Sequence, residues 1–199
     1  MKLGDYKLIF VVVGLIGVLL IASPAIVGAI RAPAGEAFSE LYLLGPDQMA
    51  QNYPSNIVVG QNYSVYVDVG NHLGSSAYYV LYVKLGNATD QLPNTTLGTP
   101  SPLTPLYEYR FSTADSTVWQ QLVSFKVTDA TISQTTSTIN TLQINDATFN
   151  VDKSAMWDSN STTFSYRLFF ELWLYNGQTG SVEFNSRYVS LQLNLTRTP

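Results

Sequence analysis

Hydrophobic side chains follow two different patterns along the chain, one before residue 31 and one after residue 37. Residues 8–30 carry no charged side chain and are mostly aliphatic. An α-helix rises about 1.5 Å per residue, so roughly 20 such residues cross the hydrocarbon layer of a bilayer. This pattern predicts a transmembrane helix over 8–30, preceded by a short N-terminus over 1–7 and followed by a linker over 31–37.

The charges beside this apolar run predict its orientation. Lys2 and Lys7 precede it, and Arg31 is the one basic residue that follows closely. Because basic flanks tend to stay in the cytoplasm, we expect a single-pass protein of the cell membrane. Its N-terminus would be cytoplasmic, its contact with lipid would run through 8–30, and residues 38–199 would be extracellular. Two alternatives stay open: cleavage of the run as a signal peptide, and pilin-like processing after Gly4.

From residue 38 onward, apolar positions recur with a period of two, as in half-buried β-strands. The segment 77–85 is apolar on both faces, which predicts a strand that is central or covered by other residues. We therefore predict that 38–199 forms an all-β domain, an immunoglobulin-like β-sandwich of about seven to nine strands. The alternation is clearest over 63–69, 77–85, 119–127, 164–174 and 189–195, and weaker strands are predicted near Leu41, Ile57, Tyr107, Leu142 and Phe149.

Three segments interrupt this strand pattern. Gly70–Gly74 has the composition of a turn, which would place His72 in a solvent-facing turn. Gly86–Pro105 is rich in Pro, Thr and Asn, and Thr128–Thr141 is rich in Ser and Thr. We predict that the last two are long loops, which in a compact domain are usually functional or solvated.

Composition excludes several classes of function. The chain has no cysteine, which excludes disulfides, thiolate metal sites and cysteine nucleophiles. Its net charge is −4 and its basic residues do not cluster, so a nucleic-acid partner is not expected. Charged residues make up 12% of the chain and hydrophobic residues 46%. The polar surface must therefore come largely from Ser, Thr, Asn, Gln and the Tyr hydroxyls.

Candidate catalytic and metal-binding residues are few. His72 is the only histidine, and the sequence pairs it with neither a nucleophile nor an orienting acid. Asp146, Asp152 and Asp158 do not follow the spacing of a Ca²⁺-binding loop. The remaining acids are spread through predicted turns, which disfavours the paired carboxylates of a glycoside hydrolase. We therefore expect a protein that is not an enzyme and that holds no metal or cofactor.

Asn-x-Ser/Thr sequons could carry N-linked glycans on an outward-facing domain. Two of them fall in the predicted long loop, one in a turn, and one on the outward phase of the last strand. We expect that some of these sites are glycosylated, but not all. The sequon asparagines are Asn62, Asn87, Asn94, Asn160 and Asn194.

A run of short motifs resembles a known family. The motifs are FSELYLLGP at Phe38–Pro46, NYPSN at Asn52–Asn56 and VGNH at Val69–His72, with further similarity at Trp119–Phe125 and Leu172–Tyr188. They are similar to an archaeal membrane-protein family that carries the domain of unknown function 1616, and the resemblance extends over about 38–196. It implies an archaeal, outward-facing, immunoglobulin-like domain tethered to the membrane. The family has no assigned activity, so no functional residue can be carried over.

These observations favour a non-enzymatic structural or accessory subunit of an archaeal envelope or membrane protein complex. Its expected partners are other membrane or envelope subunits, including further copies of this chain. One alternative is a surface filament subunit that assembles by β-strand donation, with 31–35 and Phe38–Leu44 as the donor. Another is a glycan- or ligand-binding module that uses the long loops.

Overall fold

Residues 6–7, 11–18 and 36–196 are described by a computed structural model of the chain. The chain divides into two compact units, Met1–Ala37 and Phe38–Pro199. In the first unit, residues 11–18 form a short helix and residues 6–7 are also helical. No helix in the described ranges is long and apolar enough to cross a membrane. Most of the predicted membrane segment 8–30 lies outside those ranges, so the segment and its orientation stay predictions.

The second unit is all-β, as predicted, and every predicted strand is present. The weaker strands near Leu41, Ile57, Tyr107, Leu142 and Phe149 all form, which brings the number in the described part of the chain to ten. In chain order the strands are β1 Phe38–Leu44, β2 Asn56–Ile57, β3 Tyr63–His72, β4 Ala77–Asn87, β5 Tyr107–Thr113, β6 Thr117–Ile132, β7 Thr136–Ile144, β8 Ala147–Asp158, β9 Thr163–Asn176 and β10 Ser181–Leu195.

The strands form one continuous hydrogen-bonded sheet in the order β1-β3-β6-β7-β8-β9-β10-β2, with β4 and β5 added beside β9. All pairings are antiparallel except the short parallel pairing of β2 with the end of β10. The ladder between β8 and β9, at Trp157–Phe164 and Asp158–Thr163, joins the two halves of the sheet. Because of this junction the sheet is a single curled layer, and the immunoglobulin-like sandwich stays a prediction.

The hydrophobic core lies inside the curl, where the inner faces of both halves meet. Alternate residues of β3, β6, β9 and β10 point inward on the phases that the sequence predicts. Burying one such aliphatic or aromatic side chain contributes about 1.5–3 kcal/mol, so this cluster is the main source of stability. Its fully buried members include Val65, Val67, Val69, Val123, Tyr166, Leu168, Phe170, Leu172 and Leu193.

Two of the predicted interruptions are wrong. Thr128–Thr141 is a hairpin of β6 and β7, and only residues 133–135 lie between the strands. Thr favours strands there because its β-branched side chain suits a pleated surface, and the hydroxyls of Thr and Ser pair across strands, as between Thr138 and Ser154 at 2.9 Å. Gly70–His72 is part of β3, because β1 pairs with β3 as far as Phe38 and His72.

The prediction for 77–85 is confirmed, since β4 is a central strand that pairs with both β5 and β9. Gly86–Pro105 is mostly loop, also as predicted, and its one ladder contact is the isolated bridge between Asn94 and Thr99. The connection from β4 to β5 therefore runs over 88–106. We call this segment the β4–β5 loop.

Candidate functional site

A cavity lies between two edge strands of the β-domain, β1 and β10. Within the described residues, β1 pairs only with β3, and β10 pairs with β9 and, at its last residues, with β2. Arg187 Nε donates a hydrogen bond to the Ser39 carbonyl at 3.2 Å. Farther along, Tyr42–Leu44 faces Val189–Gln192 across a cavity. The two strands therefore run side by side in the same direction without pairing, and we call the space between them the β1–β10 seam.

On the β10 side, backbone groups point into the seam. The Asn194 N–H donates to the Ser55 carbonyl at 2.6 Å, so the backbone of residue 194 faces away from β9. Backbone direction alternates along a regular strand, and the pairing of β10 with β9 is regular from Arg187 to Leu195. The backbone groups of Gln192 and Ser190 therefore face the seam as well.

On the β1 side, part of the edge is already occupied by side chains. The Leu43 carbonyl accepts a hydrogen bond from the Tyr53 hydroxyl at 2.8 Å, and the Ser39 carbonyl accepts the one from Arg187. Both carbonyls thus point outward, and by the same alternation so does the backbone of Leu41. This edge is capped at two points and open between them.

The cavity in the seam has a volume of about 620 Å³, within the range of roughly 300–1,000 Å³ that is usual for ligand sites. Its walls are formed by Tyr42–Leu44 and Val189–Gln192, with Tyr53, Ala50 and Ser55 at one side. None of these residues carries a charge. The seam therefore offers an uncharged, mainly apolar surface next to open backbone edges.

A β-bulge closes one end of the seam. The register of β10 against β9 shifts between Phe184 and Arg187, and Ser186 adopts a positive φ of 54°. A bulge re-aims the side chains of its strand. This bulge ends at Arg187, whose guanidinium bridges β10 to β1.

The opposite side of the domain, where β5 lies against β6, is sealed by aromatic rings. Phe111 and Trp119 stack with ring centroids 3.7 Å apart, and the ring of Tyr109 lies 5.8 Å from Trp119. Burial raises the pKa of Tyr109 to about 12, although the hydrogen bond that its hydroxyl accepts from Asn145 at 2.6 Å acts in the other direction. In the described part of the chain, the β1–β10 seam contains a cavity, whereas this side is closed by packed rings.

A buried ion pair fixes the β4–β5 loop to the outer face of β4 and β9. Lys84 Nζ lies 2.8 Å from Glu171 Oε2, and their side chains are only 4% and 0% exposed. Lys84 donates to the Ser101 carbonyl at 2.9 Å, and the Ser101 N–H donates to Glu171 Oε1 at 2.8 Å. These charges are satisfied by each other and by the loop backbone, so their role is structural. Sequence reasoning missed them, although Lys84 is the single charge of β4 and Glu171 lies within an apolar stretch of β9.

The sequon asparagines lie on separate elements and do not form a common site. Asn62, Asn94 and Asn160 are exposed, whereas Asn194 is half-buried and accepts a hydrogen bond from Gln192 at the seam. Asn87 is also half-buried. Its Nδ2 donates to the Ser154 carbonyl at 2.8 Å, and its Oδ1 accepts from the backbone N–H groups of Thr89 and Asp90 near the start of the β4–β5 loop. Glycosylation of all these residues stays a prediction.

His72 and the candidate acids also lie apart. His72 is half-buried at the end of β3, where its ring stacks on Phe38 and its Nε2 lies 3.5 Å from Glu40 Oε2, so the prediction of a solvent-facing turn is wrong. Asp146 is in the turn between β7 and β8, and Asp152 and Asp158 are in β8. In the described part of the chain, no group of three or more His, Asp or Glu side chains could hold a metal ion.

Solved structures similar to this chain include two glycosidases and a PapD-like domain. The β-glucosidase from Listeria innocua has 7% identity and a TM-score of 0.41, covering 81% of this chain and 16% of that chain. The β-D-glucoside glucohydrolase from Trichoderma reesei has 13% identity and a TM-score of 0.31, covering 81% and 19%. The ASH/PapD-like domain of human CEP192 has 9% identity and a TM-score of 0.33, covering 85% and 90%. Similarities this low assign neither a fold nor an activity.

The chain matches one family model and no curated protein. The family model of the domain of unknown function DUF1616 matches residues 32–137, which is more than half of the chain and includes the motifs at Phe38–Pro46, Asn52–Asn56 and Val69–His72. The expected similarity at Leu172–Tyr188 lies outside the matched region. The chain therefore belongs to the DUF1616 family.

Proposed function

We propose that this protein is a non-enzymatic, membrane-anchored structural or accessory subunit, whose β-domain binds other subunits of an archaeal envelope or membrane complex. The uncharged run 8–30 supports the anchor, and the charges of Lys2 and Lys7 support an outward-facing domain. The archaeal setting rests on the family resemblance, and the sequons agree with an exterior location. The β1–β10 seam is the observation that carries the proposal.

An open strand edge is a hazard for a monomeric protein, because its unpaired N–H and C=O groups attract other strands. Natural proteins usually protect such edges with charges, prolines or a covering segment. In the seam, Arg187 and Tyr53 protect only the two ends of the β1 edge, and the cavity between the strands is uncharged and mainly apolar. A surface of this kind is suited to burial against a partner.

We also propose that the curled sheet is a variant of the immunoglobulin-like sandwich. The inner faces of its two halves pack into one core, as the two sheets of a sandwich do. The short junction at Trp157–Phe164 and Asp158–Thr163 would then be a strand crossing from one layer to the other.

A filament subunit is the second candidate, because β1 pairs with β3 at the edge of the sheet and could instead be donated to the same position in the next subunit. The two candidates differ in processing. Strand donation by 31–35 and Phe38–Leu44 requires removal of the apolar run, whereas an anchored subunit retains it. The intact mass of the protein isolated from its membrane separates them.

The proposal is tested by purifying the full chain from its native membrane in mild detergent and measuring the mass of the assembly. We expect a complex with other subunits or with further copies. The seam variant Gln192→Arg should weaken the complex, and the matched variant Gln178→Arg, at an exposed position in the turn between β9 and β10, should not. A monomer without a partner would overturn the proposal.

A further inference from the structure

We infer that the partner contributes a short extended segment that pairs with the open edge of β10 and places alternate side chains in the cavity of the β1–β10 seam. This inference rests on the proposed function, and it specifies the contact. The occupant is a stretch of about four residues, since Val189–Gln192 lines the cavity and a strand extends about 3.3 Å per residue. Its side chains are uncharged, and those that enter the cavity are apolar.

A partner segment on this edge of β10 would continue a pairing that already exists. β2 lies along the last residues of β10, with Asn56 opposite Asn194 and Ile57 opposite Leu195. This edge of β10 therefore already accepts an extended segment. The same edge continues toward the N-terminal end of β10 through Gln192 and Ser190, where no described strand covers it. A partner segment would continue the ladder that β2 begins.

The walls of the cavity favour an uncharged occupant. A charged group that enters an uncharged, mainly apolar cavity loses its hydration without gaining a partner, which is costly. Leu43, Leu44, Val189 and Leu191 instead offer apolar contacts. Main-chain hydrogen bonds would supply affinity and the cavity would select the side chains, as in other cases of strand addition.

The seam is bounded at both ends, so the site is short. Arg187 and its hydrogen bond to Ser39 bound the seam at one end, and the β2 pairing bounds it at Asn194. Among residues 36–196, the stretch between these limits has no pairing strand, which restricts the site to a short segment rather than a long strand.

The test uses site-specific photo-cross-linking of the full chain in its native membrane. A photoreactive amino acid replaces Gln192 at the seam or, as the control, Gln178 in the distant turn. We expect Gln192 to cross-link to one short uncharged segment of the partner, and Gln178 to give no such product. The same substitution at Ser190 is the second seam variant, in case the change at Gln192 disturbs folding.

A synthetic peptide of the cross-linked segment then tests the mode of binding. We expect it to bind the purified protein, and N-methylation of one backbone amide that faces β10 should weaken binding about two- to tenfold, by removing one hydrogen bond. Methylation of the amides that alternate with these should have a smaller effect. Equal effects at both sets, or a bound lipid or small molecule in place of a peptide, would overturn the inference.

The outcomes also separate this inference from the proposed function. A native complex that cross-links from Gln178 and not from Gln192 or Ser190 would leave the subunit role intact and refute the seam as the contact. A monomer that yields no cross-link from any of the positions would refute both.

Discussion

Replacing Lys84 with methionine gives the sharpest test of how this domain is held together. The Lys84 ammonium and the Glu171 carboxylate are buried 2.8 Å apart, on the outer face of the central strands. Lys84→Met keeps most of the side-chain volume but leaves the Glu171 carboxylate buried without its counter-charge. The backbone of Ser101 also loses the hydrogen bond that Lys84 donates to its carbonyl.

The expected loss of stability is large. Breaking a buried ion pair by removing one partner costs about 3–5 kcal/mol, whereas a domain's whole free energy of unfolding is about 5–15 kcal/mol. For a domain of this size, each kcal/mol lowers Tm by about 2–4 °C. Lys84→Met should therefore lower Tm by about 6–20 °C, and the β4–β5 loop around Ser101 should become more sensitive to proteases.

The double variant Lys84→Met/Glu171→Gln separates loss of charge balance from loss of packing. Glutamine keeps an acceptor for the Ser101 N–H, which now donates to Glu171 Oε1 at 2.8 Å, and it removes the unpaired charge. We expect the double variant to recover most of the loss and to lie about 1–2 kcal/mol below the parent, the cost of an unsatisfied buried group.

Urea denaturation of the three proteins, followed by circular dichroism, measures these differences. A Lys84→Met variant within about 1 kcal/mol of the parent would show that the pair contributes far less than a buried pair should. A double variant no more stable than the single one would show that packing, and not the unpaired carboxylate, determines the loss. Either result would refute the assigned role of the pair.

Three further predictions follow from buried polar groups. Tyr166→Phe removes the hydrogen bond that the hydroxyl donates to the buried Ser137 carbonyl at 2.8 Å, and it should cost about 1–3 kcal/mol in urea denaturation; an unchanged midpoint would contradict this. Burial raises the pKa of Tyr109 to about 12, so the folded state favours the neutral phenol. The stability that the neutral phenol contributes is complete below the unfolded pKa of about 10 and is lost as the pH rises toward 12. In absorbance titration, Tyr109→Phe should remove a late-ionising phenol, and an unchanged curve would refute the shift. Burial also raises the pKa of Asp68, against the hydrogen bond from Gln120, so the carboxyl favours folding below its unfolded pKa and this contribution is lost as the pH rises through its folded pKa. Asp68→Asn should therefore be more stable than the parent at pH 7, with a gain that shrinks as the pH falls through the raised folded pKa toward the unfolded value of about 4; a gain that does not depend on pH would argue against this cause.

The inward faces of the strands were predictable because core burial selects for them directly. In Phe164–Leu174, every second residue is large and apolar, and those from Phe164 to Leu172 are fully buried. A shift of one residue would turn that whole face outward, so the sequence must keep the period. The central position of β4 was predictable for a similar reason, because a strand that is apolar on both faces needs cover on both.

Local composition predicted the wrong structure where polar side chains stabilise a strand. Thr128–Thr141 resembles a loop by its Ser and Thr content, yet its hydroxyls pair with neighbouring strands, as Thr138 does with Ser154. Asn71 follows a glycine in a turn-like motif, but its side chain donates to the carbonyls of Ser75 and Thr113 and so holds the next turn from within β3. In both cases tertiary contacts decide the structure, and these lie outside any local window.

The β1–β10 seam could not be predicted at all, because alternation encodes the faces of a strand and not its edges. Whether an edge is open depends on which distant segment lies beside it, and Ser39 and Arg187 are 148 residues apart. The sequence does contain one indication that the edge of β10 is unprotected. β10 should be vulnerable as an edge strand, yet from Tyr188 to Leu195 it carries no charge that would deter another strand. An unprotected edge in a protein that is otherwise well packed is consistent with the proposed contact, so cross-linking is directed at the seam rather than at the loops.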